Sequence, residues 1–307
     1  MKVAVLIPCY NEALSVAQVV RDAKKYLPDA EVYVYDNNST DDTVKIARKA
    51  GAVVRSETHQ GKGNVVRRMF ADIEADVYVM TDGDATYDIA SVPAMIQKLL
   101  NERLDMVTGV RKTTEQAAYR SGHQFGNKMM TRIVHWFFGK HTEDMLSGLR
   151  VFSRRFVKSY PANSKGFEIE TELTVYSSSM RLPVADYETP YYARPDGSHS
   201  KLSTFKDGWR ILKMIAVLIK EERPLLFFGM GAIILALLSI LCAIPVILQF
   251  METGLVPRFP TAILSVGLML CAGVSLAMAL ILDTISKTRK EFRRMKYLAT
   301  PFYQEDE

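Results

Sequence analysis

Asp82-Gly83-Asp84 places two carboxylates one glycine apart, directly after the apolar run Val77-Tyr78-Val79-Met80. Two such groups at the end of a buried strand can share a divalent cation. Hard cations such as Mg²⁺ take oxygen ligands, usually one or two carboxylates completed by substrate phosphates. A strand followed by an acidic turn has the same residues, so the tripeptide alone leaves both readings open. Other polar groups fall at similar places. Asn11-Glu12 follows the apolar Val3–Ile7, Asp36 follows Glu31–Tyr35, and Lys62 stands between Gly61 and Gly63 at a helix start. A lysine beside a helix N-terminus suits a phosphate. Asp36 and Asp41 are also candidate helix caps, and the cap reading suits Asp41 better than Asp36.

Elements must bring these groups together. Lys2–Ile7, Glu31–Tyr35, Ala52–Arg55, Val77–Met80 and Asp105–Val110 read as strands, and helical patterns run between them. Strands alternating with helices of this length imply an α/β domain with a mostly parallel sheet. The loops at Asn11, Asp36 and Asp82 then fall at strand ends, where one ligand can meet all of them.

Ile7-Pro8-Cys9-Tyr10-Asn11-Glu12, Asp36-Asn37-Asn38-Ser39-Thr40-Asp41, Gly61-Lys62-Gly63 and Asp82-Gly83-Asp84 occur in the order and spacing of family 2 glycosyltransferases, and the chain resembles that family. The resemblance implies the GT-A nucleotide-sugar fold. It also implies a donor site of Pro8, Tyr10, Asn11, Glu12, Asp36, Asn38, Lys62, Asp82 and Gly83. Asp84 is the expected residue for Mg²⁺ or Mn²⁺, with Asp82 a second candidate. Thr86 stands where related enzymes often carry glutamine, and its hydroxyl is a shorter, weaker ligand.

Further along, Gly109-Val110-Arg111, Arg120-Ser121, Ser147-Gly148-Leu149-Arg150-Val151-Phe152, Gly166-Phe167-Glu168-Ile169-Glu170 and Arg194-Pro195-Asp196-Gly197-Ser198-His199-Ser200-Lys201 resemble the polyprenyl-phosphate branch of the family. That branch includes dolichol-phosphate mannose synthase and the bactoprenol glucosyltransferases. It implies inverting transfer of one sugar from a nucleotide to undecaprenyl or dolichyl phosphate, with UDP-hexose or UDP-N-acetylhexosamine favoured over GDP-mannose. Arg111 and Arg120 would meet the acceptor phosphate, and Arg194, Ser198 and Lys201 would close over the donor. Asp144, Glu168 and Glu170 are spare carboxylates to which a surface or structural role is assigned. Two other readings stay open: a carbohydrate or glycolipid hydroxyl acceptor, which requires a base, and a non-catalytic nucleotide-sugar-binding membrane module.

The 307 residues carry a net charge of +5, unevenly arranged. No charged residue occurs from Leu225 to Met251 or from Phe259 to Leu282, and each run can cross a hydrocarbon core of about 30 Å. The expected layout is a GT-A domain over 1–203, an interfacial amphipathic helix over 204–223, spans over 224–251 and 259–283, and a basic tail over 284–307. In the amphipathic segment Phe205, Trp209, Leu212, Ala216 and Ile219 share an arc opposite Lys206, Arg210 and Lys213. An earlier segment aligns Phe125, Met129, Ile133 and Trp136. Such helices suit a bilayer surface. Lys220 and Arg223 precede the first run, and Lys287, Arg289, Lys290, Arg293, Arg294 and Lys296 follow the second, with only Arg258 between the runs. The positive-inside rule then places both ends in the cytoplasm, as in a bacterial inner membrane. No strand is expected beyond Glu222, so truncation there should leave a complete domain. Met1–Ile7 is too short for a signal peptide. Cys9, Cys242 and Cys271 form no disulfide or metal pattern. Nothing points to nucleic acid, and association with a second copy is left open.

Overall fold

The computed structural model describes residues 1–113, 132–137, 139, 142–195 and 204–303. The chain starts with β1 (Val3–Cys9), α1 (Val16–Tyr26), β2 (Glu31–Asp36), α2 (Thr43–Lys49), β3 (Val53–Ser56), α3 (Lys62–Asp72) and β4 (Val77–Met80). After a single 3₁₀ turn come α4 (Val92–Asn101) and β5 (Met106–Thr113). Next are β6 (Arg150–Ser153), α5 (Arg154–Ser159), α6 (Ile169–Ser179), β7 (Val184–Tyr191), α7 (Thr204–Glu222), α8 (Pro224–Thr253) and α9 (Phe259–Leu298).

One sheet of seven strands has the order β3-β2-β1-β4-β6-β5-β7. Every pairing is parallel except those of β6, which runs antiparallel between β4 and β5. Successive side chains on a strand face opposite ways, and both faces of β1 are apolar. Ala4 and Leu6 join one core with Met69, Phe152 and Phe156, and Val5 and Ile7 join another with Val16, Val20 and Met95. Helices therefore cover both faces, the doubly wound arrangement expected of a GT-A domain. Register places the site: Cys9 lies opposite Asp36, and Met80 lies opposite both Leu6 and Arg150.

The chain divides into two compact units, Met1–Ile215 with Arg293–Glu307, and Ala216–Phe292. No strand follows Glu222 among the described residues, but the return of the last residues to the first unit corrects the expectation that a chain cut there keeps a complete domain, because Tyr297 is buried in the core with Phe152, Phe156 and Tyr176. In the second unit, α8 and α9 are long and apolar enough to cross a membrane. Gly254 ends α8 in a left-handed conformation (φ 67°) that suits glycine. Ser239 and Ser265 hydrogen-bond each other's backbone carbonyls at 2.7 and 3.0 Å. At the polar end, Arg289 and Lys290 donate to the carbonyls of Glu221 and Glu222 at 2.8 and 2.9 Å.

The helix of the second apolar run continues to Leu298, because Lys, Arg and Glu at these positions are good helix formers and Lys287 pairs with Asp283 one turn back. On α7 the buried stripe is Ile215, Leu218, Ile219 and Glu222, whereas Trp209 is exposed and Ala216 faces outward. From this buried stripe Glu222 meets Lys290. Trp136 is exposed; Phe125 and Met129 lie outside the described residues.

Candidate functional site

The carboxyl ends of β1, β2 and β4 converge, as parallel topology requires. Asp84 follows β4 and is buried. Its Oδ1 accepts from the Thr86 hydroxyl at 2.6 Å, and its Oδ2 faces the Arg194 guanidinium at 2.6 Å. Burial, then the nearby Asp82 charge, pushes the Asp84 carboxyl above its usual range, with Arg194 opposing. Ala85, next to it, holds φ at 58°, a strained value for a residue with a Cβ. Gly83 is closely packed: a Cβ there would lie 2.6 Å from Cys9 Sγ, so a larger residue would have to displace that side chain.

Asp82 Oδ1 meets Lys62 Nζ at 2.5 Å, and the same ammonium meets Glu170 Oε1 at 2.5 Å. Burial alone would lower the Lys62 pKa, but the two carboxylates hold it well above the lysine range. Burial raises that of Glu170 against the pull of Lys62. Glu170 Oε2 is buried without a hydrogen-bond partner. Local packing explains how α6 reaches α3. A Cβ on Gly61 would sit 2.2 Å from the Lys165 carbonyl, and one on Gly63 would sit 2.3 Å from that of Ser164. Both glycines therefore let the 164–166 loop lie against the start of α3. That approach delivers Glu170, for which a surface or structural role had been expected, into contact with Lys62.

Around β1 and β2, Tyr10 is exposed beside the buried Glu12. Asn11 has φ 52° and ties two loops: its N–H donates to Ser39 Oγ at 2.9 Å, and its Oδ1 accepts from Thr40 N at 2.8 Å. Asp36 is buried and accepts from Ser39 N at 3.3 Å. Asp41 accepts from the N–H of Thr43, the first residue of α2, at 3.0 Å. Asn38 donates to the Thr58 carbonyl at 2.8 Å. Its neighbour Asn37, absent from the expected site, is the stronger organiser. It donates to the carbonyls of Glu57 and His59 at 2.8 and 2.9 Å and accepts from Gly61 N at 2.7 Å.

On the other side of β4, Arg111 forks onto Asp144 (Nε to Oδ2 2.6 Å, Nη2 to Oδ1 2.7 Å) and lies over the Tyr191 ring. The expected spare carboxylate thus aims the arginine. Arg150 is fully buried, donating to the carbonyls of Met145, Ser147 and Glu170. It fixes the 144–148 loop, where a Cβ on Gly148 would meet Asp82 Oδ2 at 2.5 Å. A fully buried arginine is rare, and only its place in Ser147-Gly148-Leu149-Arg150 hinted at this role. Arg120, Ser198 and Lys201 lie outside the described residues.

No cluster of three or more His, Cys, Asp or Glu residues suited to a metal occurs among the described residues. Two carboxylates on one turn, one of them buried with its pKa raised by that burial and then by the other's charge, fit a Mg²⁺ or Mn²⁺ ion whose remaining ligands come from a donor diphosphate.

Comparison with known proteins agrees with this geometry. The family description "Glycosyl transferase family 2" matches residues 4–160. Glycosyltransferase AglJ of Haloferax volcanii is 35% identical over 74% of this chain and 75% of its own. The dolichyl-phosphate hexose transferase of the same organism is 28% identical over 72% of this chain and 95% of its own. Glucosyl-3-phosphoglycerate synthase from Mycobacterium tuberculosis, solved with Mn²⁺, UDP and glucosyl-3-phosphoglycerate, shares the fold. It has a TM-score of 0.59 and 23% identity, covering 71% of this chain and 79% of that one.

Proposed function

This chain belongs to glycosyl transferase family 2, and we propose that it moves one sugar from a nucleotide donor to a polyprenyl phosphate at the cytoplasmic membrane face. The observation that carries this reading is the presence, in one chain, of the Asp82-Gly83-Asp84 turn and two helices long and apolar enough to span a bilayer. The name of the dolichyl-phosphate hexose transferase relative supports the same acceptor class.

In this reading Tyr10, Glu12 and Asp36 hold the nucleoside, and Asn11 and Asn38 shape the loops around it. Lys62 has three N–H bonds; Asp82 and Glu170 take two, and the third reaches a donor phosphate oxygen. Asp84, with Asp82, would hold the divalent ion, which neutralises the departing diphosphate when bound. Arg194, Ser198 and Lys201 cover the donor. Arg111, held by Asp144, presents its outer N–H groups to the acceptor phosphate, and Arg120 completes the clamp.

A phosphate oxygen is already anionic, so attack on the anomeric carbon needs no strong base. The protein's contribution is positioning, charge neutralisation and exclusion of water. The anomeric centre inverts, so an α-linked donor gives a β-linked lipid product. Trp136 and Trp209, both exposed, would rest at the headgroup level, and the basic flanks of the spans would face the cytoplasm.

The test incubates purified full-length chain and undecaprenyl phosphate with labelled UDP-glucose, UDP-N-acetylglucosamine or GDP-mannose. Label from at least one donor should extract into organic solvent. Label transferred only to free sugars added beside the lipid would instead establish a hydroxyl acceptor.

A further inference from the structure

The segment after the second apolar run contains a buried ion and ring cluster that the site does not use. Asp105, the residue before β5, is fully buried. Its Oδ1 accepts from Ser153 Oγ at 2.7 Å and Arg155 Nε at 2.6 Å, and its Oδ2 accepts from the Tyr297 hydroxyl at 2.8 Å. The Arg155 guanidinium lies over two rings of the C-terminal segment, Tyr297 at 4.8 Å and Phe302 at 4.9 Å. Arg293 lies over the Tyr176 ring of α6 at 5.9 Å. A buried carboxylate stripped of a donor is costly, so the domain is incomplete without Tyr297.

We infer that Arg293–Tyr303 is a clasp that completes the α/β domain, docking through Tyr297 and Phe302 onto Asp105 and Arg155 and through Arg293 onto Tyr176. The domain is therefore discontinuous in sequence, and the apolar hairpin is an insertion with both ends rooted in it. The clasp grips β5 at its start, roughly 17 Å along the strand from Arg111. Because the clasp follows the second span directly, both ends of the hairpin must lie on the domain's side of the membrane. That conclusion is independent of the charge bias of the flanks.

The test uses full-length protein in detergent, with Tyr297→Ala, Tyr297→Phe and, as an exposed control on the same helix, Leu298→Ala. Tyr297→Ala should lower the domain's melting midpoint by about 5 °C or more, and Tyr297→Phe, which keeps the ring, by about half as much. Leu298→Ala should leave it in place. Hydrogen exchange should find amides 293–298 as protected as those of β5, and faster in Tyr297→Ala at both places. A Tyr297→Ala midpoint equal to that of Leu298→Ala, or an unprotected 293–298 segment, would overturn the clasp.

If Tyr297→Ala does not fold, sidedness decides. In a chain whose three cysteines are replaced, Ala299→Cys and Lys49→Cys should react with an impermeant maleimide from the same face of sealed vesicles. Labelling from opposite faces would exclude docking. None of these readouts requires turnover, so they stand whatever the acceptor proves to be.

Discussion

Asp84 has the most to lose among the site residues, because its carboxylate is buried, crowded by Asp82 and balanced by Arg194. If it holds the ion against the diphosphate, Asp84→Ala should slow turnover at least about a hundredfold, ~2.7 kcal/mol of barrier, while circular dichroism stays unchanged. Near-normal turnover, or activity indifferent to chelator, would remove the metal role. Arg111 makes a different prediction. Asp144 engages the guanidinium edge-on, and a lysine cannot copy that fork. Arg111→Lys should raise KM for lipid phosphate about tenfold and leave nucleotide affinity, measured by calorimetry, nearly intact; loss of nucleotide affinity with unchanged acceptor kinetics would reverse the assignment. Much of this site was visible in the sequence because Asn11, Glu12, Asp36, Asp82 and Asp84 each end an apolar run. Asp144, Arg150 and Glu170 were not, because their roles come from partners 33, 20 and 108 positions away: Arg111, the Glu170 carbonyl and Lys62.

Elements carry the next layer of constraint. Gly61 and Gly63 are close-approach glycines whose missing side chains let the 164–166 loop settle on α3. Gly63→Ala would drive a methyl into the Ser164 carbonyl, so it should destabilise the domain by about 1–3 kcal/mol in urea unfolding. It should also weaken nucleotide binding by withdrawing Glu170 from Lys62. Unchanged stability would mean that the loop can retreat freely. The parallel strands β1 to β5 were legible because apolar runs alternate with helical patterns and each ends at a turn signal. The antiparallel β6 was not, because Arg150-Val151-Phe152-Ser153 is short, begins with a charged residue and becomes a strand only by pairing with both β4 and β5. Past the second apolar run α9 continues to Leu298, since charge ends an apolar run without ending a helix.

At the scale of the whole molecule, the chain joins a family 2 glycosyltransferase domain to two helices long and apolar enough to cross a membrane. Both helices expose most of their large side chains, Ile233, Leu241, Ile263 and Leu270 among them. The protein should therefore resist extraction from membranes by high salt or alkaline carbonate and leave only with detergent; release by salt alone would show that the helices do not span. Composition made this hairpin plain, whereas the rooting of its far end in the domain depends on Tyr297 meeting Asp105, 192 positions away, which no local pattern records. In the proposed reaction a lipid phosphate, not a hydroxyl, receives the sugar. Its most direct test compares initial rates on undecaprenyl phosphate and undecaprenol, identical tails with and without the phosphate, at saturating donor and Mn²⁺. Transfer to the phosphate should run at least about a hundredfold faster than transfer to the alcohol, with a β-linked product. Equal rates on the two lipids, or faster transfer to the alcohol, would contradict it.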